Sequence, residues 1–493
     1  MLSLPRRGVW CVVCFLWLGC GTDSDVASPE DAALSSDASP LDVWAADAAG
    51  SEVQSDAAEP EESVSDTASG PDSMTPEADT SDPVEEPACT STRRPIVAAH
   101  GFIASGDTWA PHARRFMANG YCRGDIRAFD WNSVSAFTGT SDTQVTELAQ
   151  FIDGVLEETG WETVDLIGHS AGGGIAYDYL SAPERAAKVA HYAHLGSFPQ
   201  PGPAGPEGEV PTLNVWSEGD MAIEGKADIP GATNLRQVEA DHYGVATNAE
   251  TFLAIFEHFN DGETPSVAEP PSVQTPMLWG RAVTFGENTP IDGELAIYEL
   301  DPATGQRLGE PLMDGAIPDG GYWGPMTAAA DVPYEFEIVE PGNRPVHYYA
   351  EPYRSDNPLV YLRGFPSGGS MVGFLLAGLP FDDVRSMLVV FSSSRALTFG
   401  KDSLTVDGVE ILTAANAAPA NSSIAFFLYD ADEDGESSYA PVELFQSFPF
   451  LTGADMALTA TPGRSFSIAL NGREVVVPAW PSESEGATVV VFE

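Results

Sequence analysis

The sequence predicts an α/β protein with a mostly parallel sheet, preceded by a disordered acidic tether and followed by one or two β-sandwich-like modules. Three observations support this order. Residues 21–88 contain nineteen Asp or Glu and no Lys or Arg. From Arg94 to about Asp261, short apolar runs alternate with amphipathic stretches, which is typical of strands connected by helices. After Thr264 the helical pattern stops and turn residues become frequent.

The first twenty residues have the features of an export signal. Arg6 and Arg7 precede an apolar run, Val9–Leu18, that is too short to span a bilayer. The run ends at Cys20 in a pattern that resembles the lipobox of bacterial lipoproteins, although Trp17 stands where an aliphatic residue is usual. We therefore expect residues 1–20 to be a lipoprotein-type signal peptide and Cys20 to be lipidated. An ordinary cleaved signal peptide is the alternative.

Charge and composition define the segment that follows. Residues 21–88 have Trp44 as their only aromatic residue, so they cannot bury enough apolar surface to offset their ordering entropy. We expect a disordered linker there. The formal charge of −52 also repels phosphate backbones and anionic membranes, so nucleic-acid binding is not expected. Contact with a membrane is expected only through the N-terminal lipid anchor. The protein is then exported, either anchored in the bacterial cell envelope or secreted.

Two cysteines remain in the folded part of the chain. Cys11 and Cys14 lie within the signal and Cys20 is the expected anchor, which leaves Cys89 and Cys122. An even pair in an oxidising compartment predicts a disulfide. A metal site is the weaker interpretation, because two thiolates without nearby partners lack the usual number of ligands.

Residues 89–264 are predicted to form the α/β domain. Its expected strands are short apolar runs that are buried on both faces, and its expected helices carry apolar residues at helical spacing. The strands are Pro95–Ala99, Ile126–Trp131, Val164–Ile167, Val189–His194, Thr212–Trp216 and Leu235–Val238, and the clearest helices are Thr143–Glu158 and Glu250–Phe259.

The C-terminal half is predicted to be rich in β-structure. Pro265 and the stretch Glu269-Pro-Pro-Ser mark a linker, after which short strand-like runs alternate with turn residues. We expect a β-sandwich-like domain at 272–345 and a second β-rich domain at 346–493. The predicted strands are Leu295–Leu300, Tyr334–Val339, Leu359–Leu362, Met387–Phe391, Ile424–Leu428 and Val475–Val477.

The motif that indicates chemistry is Gly168-His169-Ser170-Ala171-Gly172, which lies between a predicted strand and a predicted helix. A serine hydroxyl is a poor nucleophile unless it is exposed, held in one geometry and paired with a base. A sharp strand-to-helix turn exposes Ser170, and the two glycines lack side chains, so the crowded turn can close. We therefore predict Ser170 as a nucleophile at a turn that includes His169.

The acid and the base follow the serine in the chain. Asp220 lies in the loop after the strand Thr212–Trp216, where a carboxylate can orient a histidine, and Glu218 is its nearby competitor. His242 lies in a turn between a strand and the last helix of the domain. The chain order Ser170, Asp220, His242 is typical of a catalytic triad on a strand–turn–helix scaffold.

A resemblance to a known family supports this interpretation. His100-Gly101-Phe102 follows the first strand and resembles the oxyanion loop of lipases, which implies that the N–H groups of Phe102 and Ala171 form an oxyanion hole. As a whole, residues 93–260 resemble the bacterial and archaeal α/β-hydrolase lipases and esterases, and the C-terminal part resembles, more loosely, their β-rich lipid-binding domains. The stretches concerned are 94–102, 128–132, 168–173 and 228–234 before Asp241-His242, and 297–305, 322–325 and 344–349 in the C-terminal part.

The resemblance implies hydrolysis of a carboxylic ester, with an ester or lipid at an interface as substrate and no cofactor. Three alternatives remain: a polyester depolymerase, a small-ester esterase, and a non-catalytic surface-binding protein with a silent hydrolase domain. The acidic run Asp430-Ala-Asp-Glu-Asp-Gly resembles the first half of a calcium loop. Because Pro441 stands where a bidentate Glu would be needed, an acidic β-turn is favoured and no metal is expected. The sequence does not indicate the oligomeric state.

Overall fold

The computed structural model describes residues 89–137, 141–365, 371–446 and 448–493. The expected signal peptide at 1–20, its Cys20 and the expected linker at 21–88 lie outside these residues. At the start of the described region, a disulfide joins Cys89 to Cys122, with the two Cα atoms 5.8 Å apart. It ties the segment before the first strand to the segment after the first helix.

A six-stranded parallel sheet forms the centre of the first half of the fold. Its strand order is β2-β1-β3-β4-β5-β6, and every neighbouring pair is parallel. All residues of β1 and β3 are buried, which explains why β1 is an apolar run without alternation and why β3 is apolar except for Asp165 and His169. The α/β class is thus confirmed. The strands are β1 Ile96–Ala99, β2 Ile126–Phe129, β3 Val164–His169, β4 Val189–Leu195, β5 Thr212–Ser217 and β6 Thr233–Gln237.

Helices cover both faces of this sheet. One apolar cluster contains Leu148 and Ile152 of the longest helix, and another contains Phe252 and Phe256 of the last helix of this region. The two clusters lie on opposite faces because neighbouring β1 residues alternate between them, with Val97 in the first and Ile96 in the second. The helices are α1 Ala110–Ala118, α2 Ser141–Thr159, α3 Ala171–Leu180, α4 Pro183–Ala186, α5 Gly244–Thr247 and α6 Ala249–Phe259.

The described residues of the C-terminal half form three further sheets. Their strand orders are β10-β7-β13, β18-β17-β14-β21-β12-β11-β8-β9 and β16-β15-β19-β20. The strands are β7 Met277–Thr284, β8 Glu294–Glu299, β9 Met313–Ala316, β10 Tyr322–Thr327, β11 Tyr334–Val339, β12 Val346–Ala350, β13 Asn357–Gly364, β14 Met387–Ser392, β15 Leu404–Val406, β16 Val409–Glu410, β17 Ala425–Tyr429, β18 Leu451–Asp455, β19 Ser465–Leu470, β20 Arg473–Pro478 and β21 Ala487–Phe492, with the short helices α7 Met371–Leu376 and α8 Ser482–Glu485.

The eight-stranded sheet runs across the expected boundary at residue 345. Strands β11 and β12 lie on either side of that position and pair antiparallel, with Ile338 opposite Val346. The last strand, β21, then inserts between β12 and β14 and pairs parallel with both. The division into 272–345 and 346–493 therefore remains a prediction about domain organisation, and the hydrogen-bonded sheet is continuous across it.

Polar contacts connect the β-rich half to the loops at the end of the parallel sheet. The buried carboxylate of Asp130, just after β2, accepts hydrogen bonds from Arg281 at 2.5 Å and from Tyr361 at 2.6 Å. Arg363 pairs with Asp107 at 2.6 Å. Buried ion pairs and hydrogen bonds of this kind are costly to break singly, so these contacts hold the β-rich half against the site-bearing loops.

Candidate active site

The turn between β3 and α3 presents Ser170 in a strained conformation. Its backbone has φ 54° and ψ −121°, in a region that residues other than glycine rarely adopt. Two hydrogen bonds hold it there: Ser170 N–H donates to the carbonyl of Leu195 at 3.0 Å, and Ser197 Oγ donates to the carbonyl of Ser170 at 2.7 Å. The strand-to-helix turn that the sequence predicts is thus present, and neighbouring elements fix its geometry.

The glycines of the motif leave room for close packing of backbone on backbone. A Cβ on Gly172 would lie 2.4 Å from the carbonyl oxygen of His100 and 2.5 Å from that of Ala99. A Cβ on Gly168 would lie 2.8 Å from the Cα of Gly173. Real Cβ atoms do not approach other atoms so closely. The N-terminus of α3 can therefore lie against the end of β1 only because these positions carry no side chain.

The structure brings together the three side chains that the sequence singled out. The Nε2 atom of His242 lies 2.9 Å from Ser170 Oγ, and its Nδ1 atom lies 3.0 Å from Asp220 Oδ2. Both His242 and Asp220 are at most 2% exposed. Because an ionised carboxylate only accepts, Nδ1–H donates to Asp220 and Nε2 is left to accept the hydroxyl proton of Ser170.

Asp220 is held as a carboxylate. Its Oδ1 accepts from the backbone N–H of Ala222 at 2.9 Å and of Ile223 at 3.2 Å. Burial alone would raise the pKa of this carboxyl, but the charge and hydrogen bond of His242 and the amide of Ala222 outweigh it, and the pKa lies below its usual value. The competitor, Glu218, forms an ion pair with Arg236 instead.

His169 positions the backbone of His242. Its Nε2–H donates to the carbonyl of His242 at 3.0 Å, and the two imidazole rings lie 4.7 Å apart. Burial, followed by the nearby charge of His242, lowers the pKa of His169 to about 3, so the ring is neutral. The sequence placed His169 in the turn, but no local signal indicated that it would contact the base.

The loop after β1 lies directly against the serine. A Cβ on Gly101 would be 3.0 Å from the Cβ of Ser170, so the following residue, Phe102, is close to the nucleophile. His100 braces this loop: its Nδ1–H donates to the carbonyl of Gly101 at 2.8 Å. The opposite nitrogen, Nε2, accepts from Asn288 Nδ2 at 3.1 Å. A residue of the β-rich half therefore helps to hold the loop in place.

Ala171 is the first residue of α3, so its N–H lies at the helix N-terminus, which is the positive end of the helix dipole. Ala171 directly follows Ser170, and Phe102 directly follows Gly101, which lies against Ser170. An oxyanion hole formed by the N–H groups of Phe102 and Ala171 stays a prediction. Negative charge that develops beside the serine would meet this helix N-terminus.

Phe450 is a site residue that the sequence analysis did not single out. Its ring stacks on the imidazole of His242, with the centroids 5.6 Å apart and the planes 6° from parallel, and it packs edge-on against Tyr243. Ala104, Tyr243, Ala396, Ile424 and Phe450 form one apolar cluster. Phe450 precedes a strand of the distant eight-stranded sheet, so in the sequence it is indistinguishable from a core residue.

Two groups of side chains outside this site could hold a metal ion in the part of the chain that the structure describes. They are Glu337, His347 and Glu485, and the alternating carboxylates Asp430, Asp432 and Asp434. Both belong to the β-rich half. The side chains of Ser170, His242 and Asp220 are instead hydrogen-bonded to one another.

The central parallel sheet with helices on both faces fits the fold of an α/β-hydrolase. Residues 93–185 match the family model described as lipase (class 2), and residues 274–365 match the lipase C-terminal domain. A further C-terminal-domain model matches residues 393–493. Lipase models thus match part of the parallel-sheet half and part of the β-rich half, which supports an α/β-hydrolase of the lipase and esterase type.

Solved structures similar to this chain match about a third of it. They include a mature lipase from Bacillus licheniformis (16% identity, 36% of this chain, 94% of that one, TM-score 0.27). Lipase B of Aspergillus fumigatus is 13% identical and covers 36% of this chain and 54% of its own, with a TM-score of 0.27. A bromoperoxidase from Bacillus anthracis is 16% identical, over 35% and 93% of the two chains, with a TM-score of 0.26.

The described residues contain no helix that is both long and apolar enough to cross a membrane.

Proposed function

We propose that this protein cleaves carboxylic esters by a Ser-His-Asp acyl-enzyme mechanism, with lipid or acylglycerol esters as its substrates. The observation that carries the proposal is the single chain of hydrogen bonds in which His242 contacts Ser170 Oγ at 2.9 Å and Asp220 at 3.0 Å. A buried imidazole in this position can remove a proton from a hydroxyl that is otherwise a weak nucleophile.

In this mechanism His242 takes the proton of Ser170 as the hydroxyl attacks the ester carbonyl. The oxyanion is stabilised by the N–H groups of Phe102 and Ala171, and His242 then returns the proton to the leaving alcohol. Water activated by the same imidazole hydrolyses the acyl-enzyme. Asp220 holds the Nδ1–H tautomer throughout and stabilises the imidazolium that forms in each half-reaction.

The surroundings of the triad support an apolar acyl substrate. Phe450 and Tyr243 cover one side of His242, and Phe102 packs partly buried against the same cluster. A polar or charged acyl group would lose its hydration there without gaining partners, whereas a hydrocarbon chain gains roughly 0.8 kcal/mol for each buried CH₂. This favours lipid esters over small polar esters within the same family.

Covalent labelling with a fluorophosphonate probe tests the reaction class. Wild type should be labelled and should hydrolyse p-nitrophenyl esters, whereas Ser170→Ala should do neither. Ser181→Ala is the matched control, because Ser181 is an exposed serine at the other end of the same helix and should leave both readouts unchanged. Absence of labelling in wild type, or equal labelling of Ser170→Ala, would reject the proposal that Ser170 is the nucleophile of a serine hydrolase.

A series of p-nitrophenyl esters of increasing acyl length tests the substrate class. For a lipase, kcat/KM should rise from short to long acyl chains. A maximum at the shortest esters, with labelling of Ser170 intact, would instead identify a small-ester esterase.

We further propose that the enzyme acts in the cell envelope, anchored by lipid at Cys20. This rests on the apolar run and the Cys20 pattern of the sequence. Labelled palmitate should be incorporated into wild type but not into Cys20→Ser, and equal incorporation would reject the anchor.

A further inference from the structure

Three alternating carboxylates meet in the loop that follows strand β17. Asp430, Asp432 and Asp434 each bring one carboxylate oxygen to a common point, and these atoms all lie within 4.8 Å of one another. Gly435 follows with φ +80°, a conformation that allows the chain to turn sharply around this point. In calcium loops of the Asp-x-Asp-x-Asp-Gly type, the glycine serves the same purpose.

One oxygen of Asp430 is buried without a hydrogen-bond donor. Its Oδ2 forms an ion pair with Arg385, with Nε 3.0 Å away, and accepts a hydrogen bond from the N–H of Gly435 at 2.9 Å. Its Oδ1 is inaccessible to solvent and has no hydrogen-bond partner among the described residues. The side chain as a whole is only 1% exposed. A buried carboxylate oxygen without a partner is costly, and it marks a place where a cation or water is required. Arg385 does not meet this requirement because it binds the other oxygen.

Hydrogen bonds to one carboxylate fix the two ends of this loop. Asp455, at the end of the adjacent strand β18, accepts from the N–H of Ala431 at 2.8 Å and from the N–H and hydroxyl of Ser438 at 3.0 and 2.6 Å. These bonds clamp both ends of the loop. The three carboxylates are thus kept together at a distance at which they repel one another, and residues 430–436 contain five acids and no Lys or Arg.

We propose that this loop binds a calcium ion through the carboxylates of Asp430, Asp432 and Asp434. An all-oxygen set of ligands favours a hard divalent cation over a transition metal. Ca²⁺ is favoured over Mg²⁺ because it accepts irregular coordination, with backbone carbonyls and water completing its shell, whereas Mg²⁺ requires a near-ideal octahedron.

The affinity should be modest. Pro441 occupies the position where a calcium loop of this length carries a bidentate Glu, so one strong ligand is missing. For this reason the sequence alone favours an acidic turn. The buried, unpartnered oxygen of Asp430 is the observation that reverses this expectation. A dissociation constant of roughly 10⁻⁴ to 10⁻³ M, the range of extracellular calcium modules, is expected.

Isothermal titration calorimetry of the full chain with CaCl₂ tests the site, and MgCl₂ is titrated in parallel. Wild type should show one saturable Ca²⁺ site and much weaker Mg²⁺ binding. Asp432→Asn and Asp434→Asn should each weaken Ca²⁺ binding by roughly tenfold or more, because each removes one charged ligand. Both positions are exposed, and asparagine keeps the Oδ1 acceptor that each side chain offers to the loop backbone.

Asp314→Asn is the matched control, since it removes the same charge from an exposed position on β9. It should bind Ca²⁺ like wild type. Two results would overturn the proposal: no saturable binding in wild type at millimolar Ca²⁺, or identical isotherms for wild type and both loop variants. The second result would mean that calcium only screens the acidic chain. Neither readout depends on ester hydrolysis.

Discussion

At the scale of single residues, the tautomer of one imidazole connects the candidate acid with the candidate nucleophile. The carboxylate of Asp220 accepts a hydrogen bond from Nδ1–H of His242, and Nε2 is therefore free to accept from Ser170. Asp220 itself is aligned by two backbone amides, so its carboxylate does not need to reorganise when the imidazole becomes charged. His169 holds the backbone of His242 from the other side.

Replacing Asp220 by Asn should lower kcat on ester substrates by roughly 10³- to 10⁴-fold. The fold should persist, because Asn keeps the Oδ1 acceptor for the two amides, but its NH₂ group would force the proton of His242 onto Nε2. Glu218→Gln removes the same charge two residues away and should leave kcat within about twofold, since Glu218 pairs with Arg236 at the surface. Equal losses in both variants would show that Asp220 does not have the proposed role.

At the scale of elements, the site depends on how closely α3 approaches β1. The motif glycines allow backbone to pack against backbone, and this places the N-terminus of α3 beside the loop that contains Phe102. The strained φ of Ser170 is maintained by the hydrogen bonds to its neighbours, Leu195 and Ser197. The turn is therefore a product of three strands and a helix, and not of the five-residue motif alone.

Gly172→Ala should destabilise the protein by roughly 1–3 kcal/mol, because the new methyl group would meet two backbone carbonyls that cannot rotate away. Gly154→Ala is the matched control within α2, where a Cβ meets nothing within 4 Å, and it should stabilise by about 0.5–1 kcal/mol. Urea unfolding measures both free energies. A loss of stability at Gly154, or none at Gly172, would contradict the packing argument.

At the scale of the whole molecule, the β-rich half completes the site. Asn288 braces the loop before Phe102, Asp130 is held by Arg281 and Tyr361, and Phe450 stacks on His242. Deleting the β-rich half would therefore expose apolar residues of the first half, such as Ala104 and Tyr243, to solvent. A loss of activity after such a deletion could then come from destabilisation, so point substitutions are the better test.

Phe450→Ala should open the side of His242 that the ring covers. We expect the ratio of the labelling rates of Ser170 by bulky and by small fluorophosphonates to rise roughly tenfold, which corresponds to about 1.4 kcal/mol of activation free energy. The free energy of unfolding should fall by about 3–5 kcal/mol. Phe450→Leu should keep most of the stability, and Phe399→Ala, an exposed aromatic, should change neither readout. An unchanged ratio of bulky to small labelling in Phe450→Ala would show that the ring does not limit access.

Much of the fold could be predicted from the chain because the relevant signals are local. The strands of the parallel sheet are short apolar runs, and their predicted bounds differ from the observed ones by only a residue or two, as for Val164–His169 and Thr212–Ser217. The motif around Ser170, together with the loop positions of Asp220 and His242, was sufficient to select three side chains that are hydrogen-bonded to one another. In the β-rich half, six strands were predicted close to their observed positions, but others such as β7 and β21 were not. The pairing of the strands was not predictable either, because pairs such as β21 with β12 join residues far apart in sequence.

The sequence by itself determined the class of the fold, the position of the turn at Ser170 and the strongly acidic character of the chain, because each follows from neighbouring residue types. The tertiary structure decided the contacts between distant segments. The stacking of Phe450 on His242, the bracing of His100 by Asn288 and the unpartnered oxygen of Asp430 are of this kind. Side chains that are separated by many residues meet only when whole sheets pack, and no local pattern encodes which of them will touch.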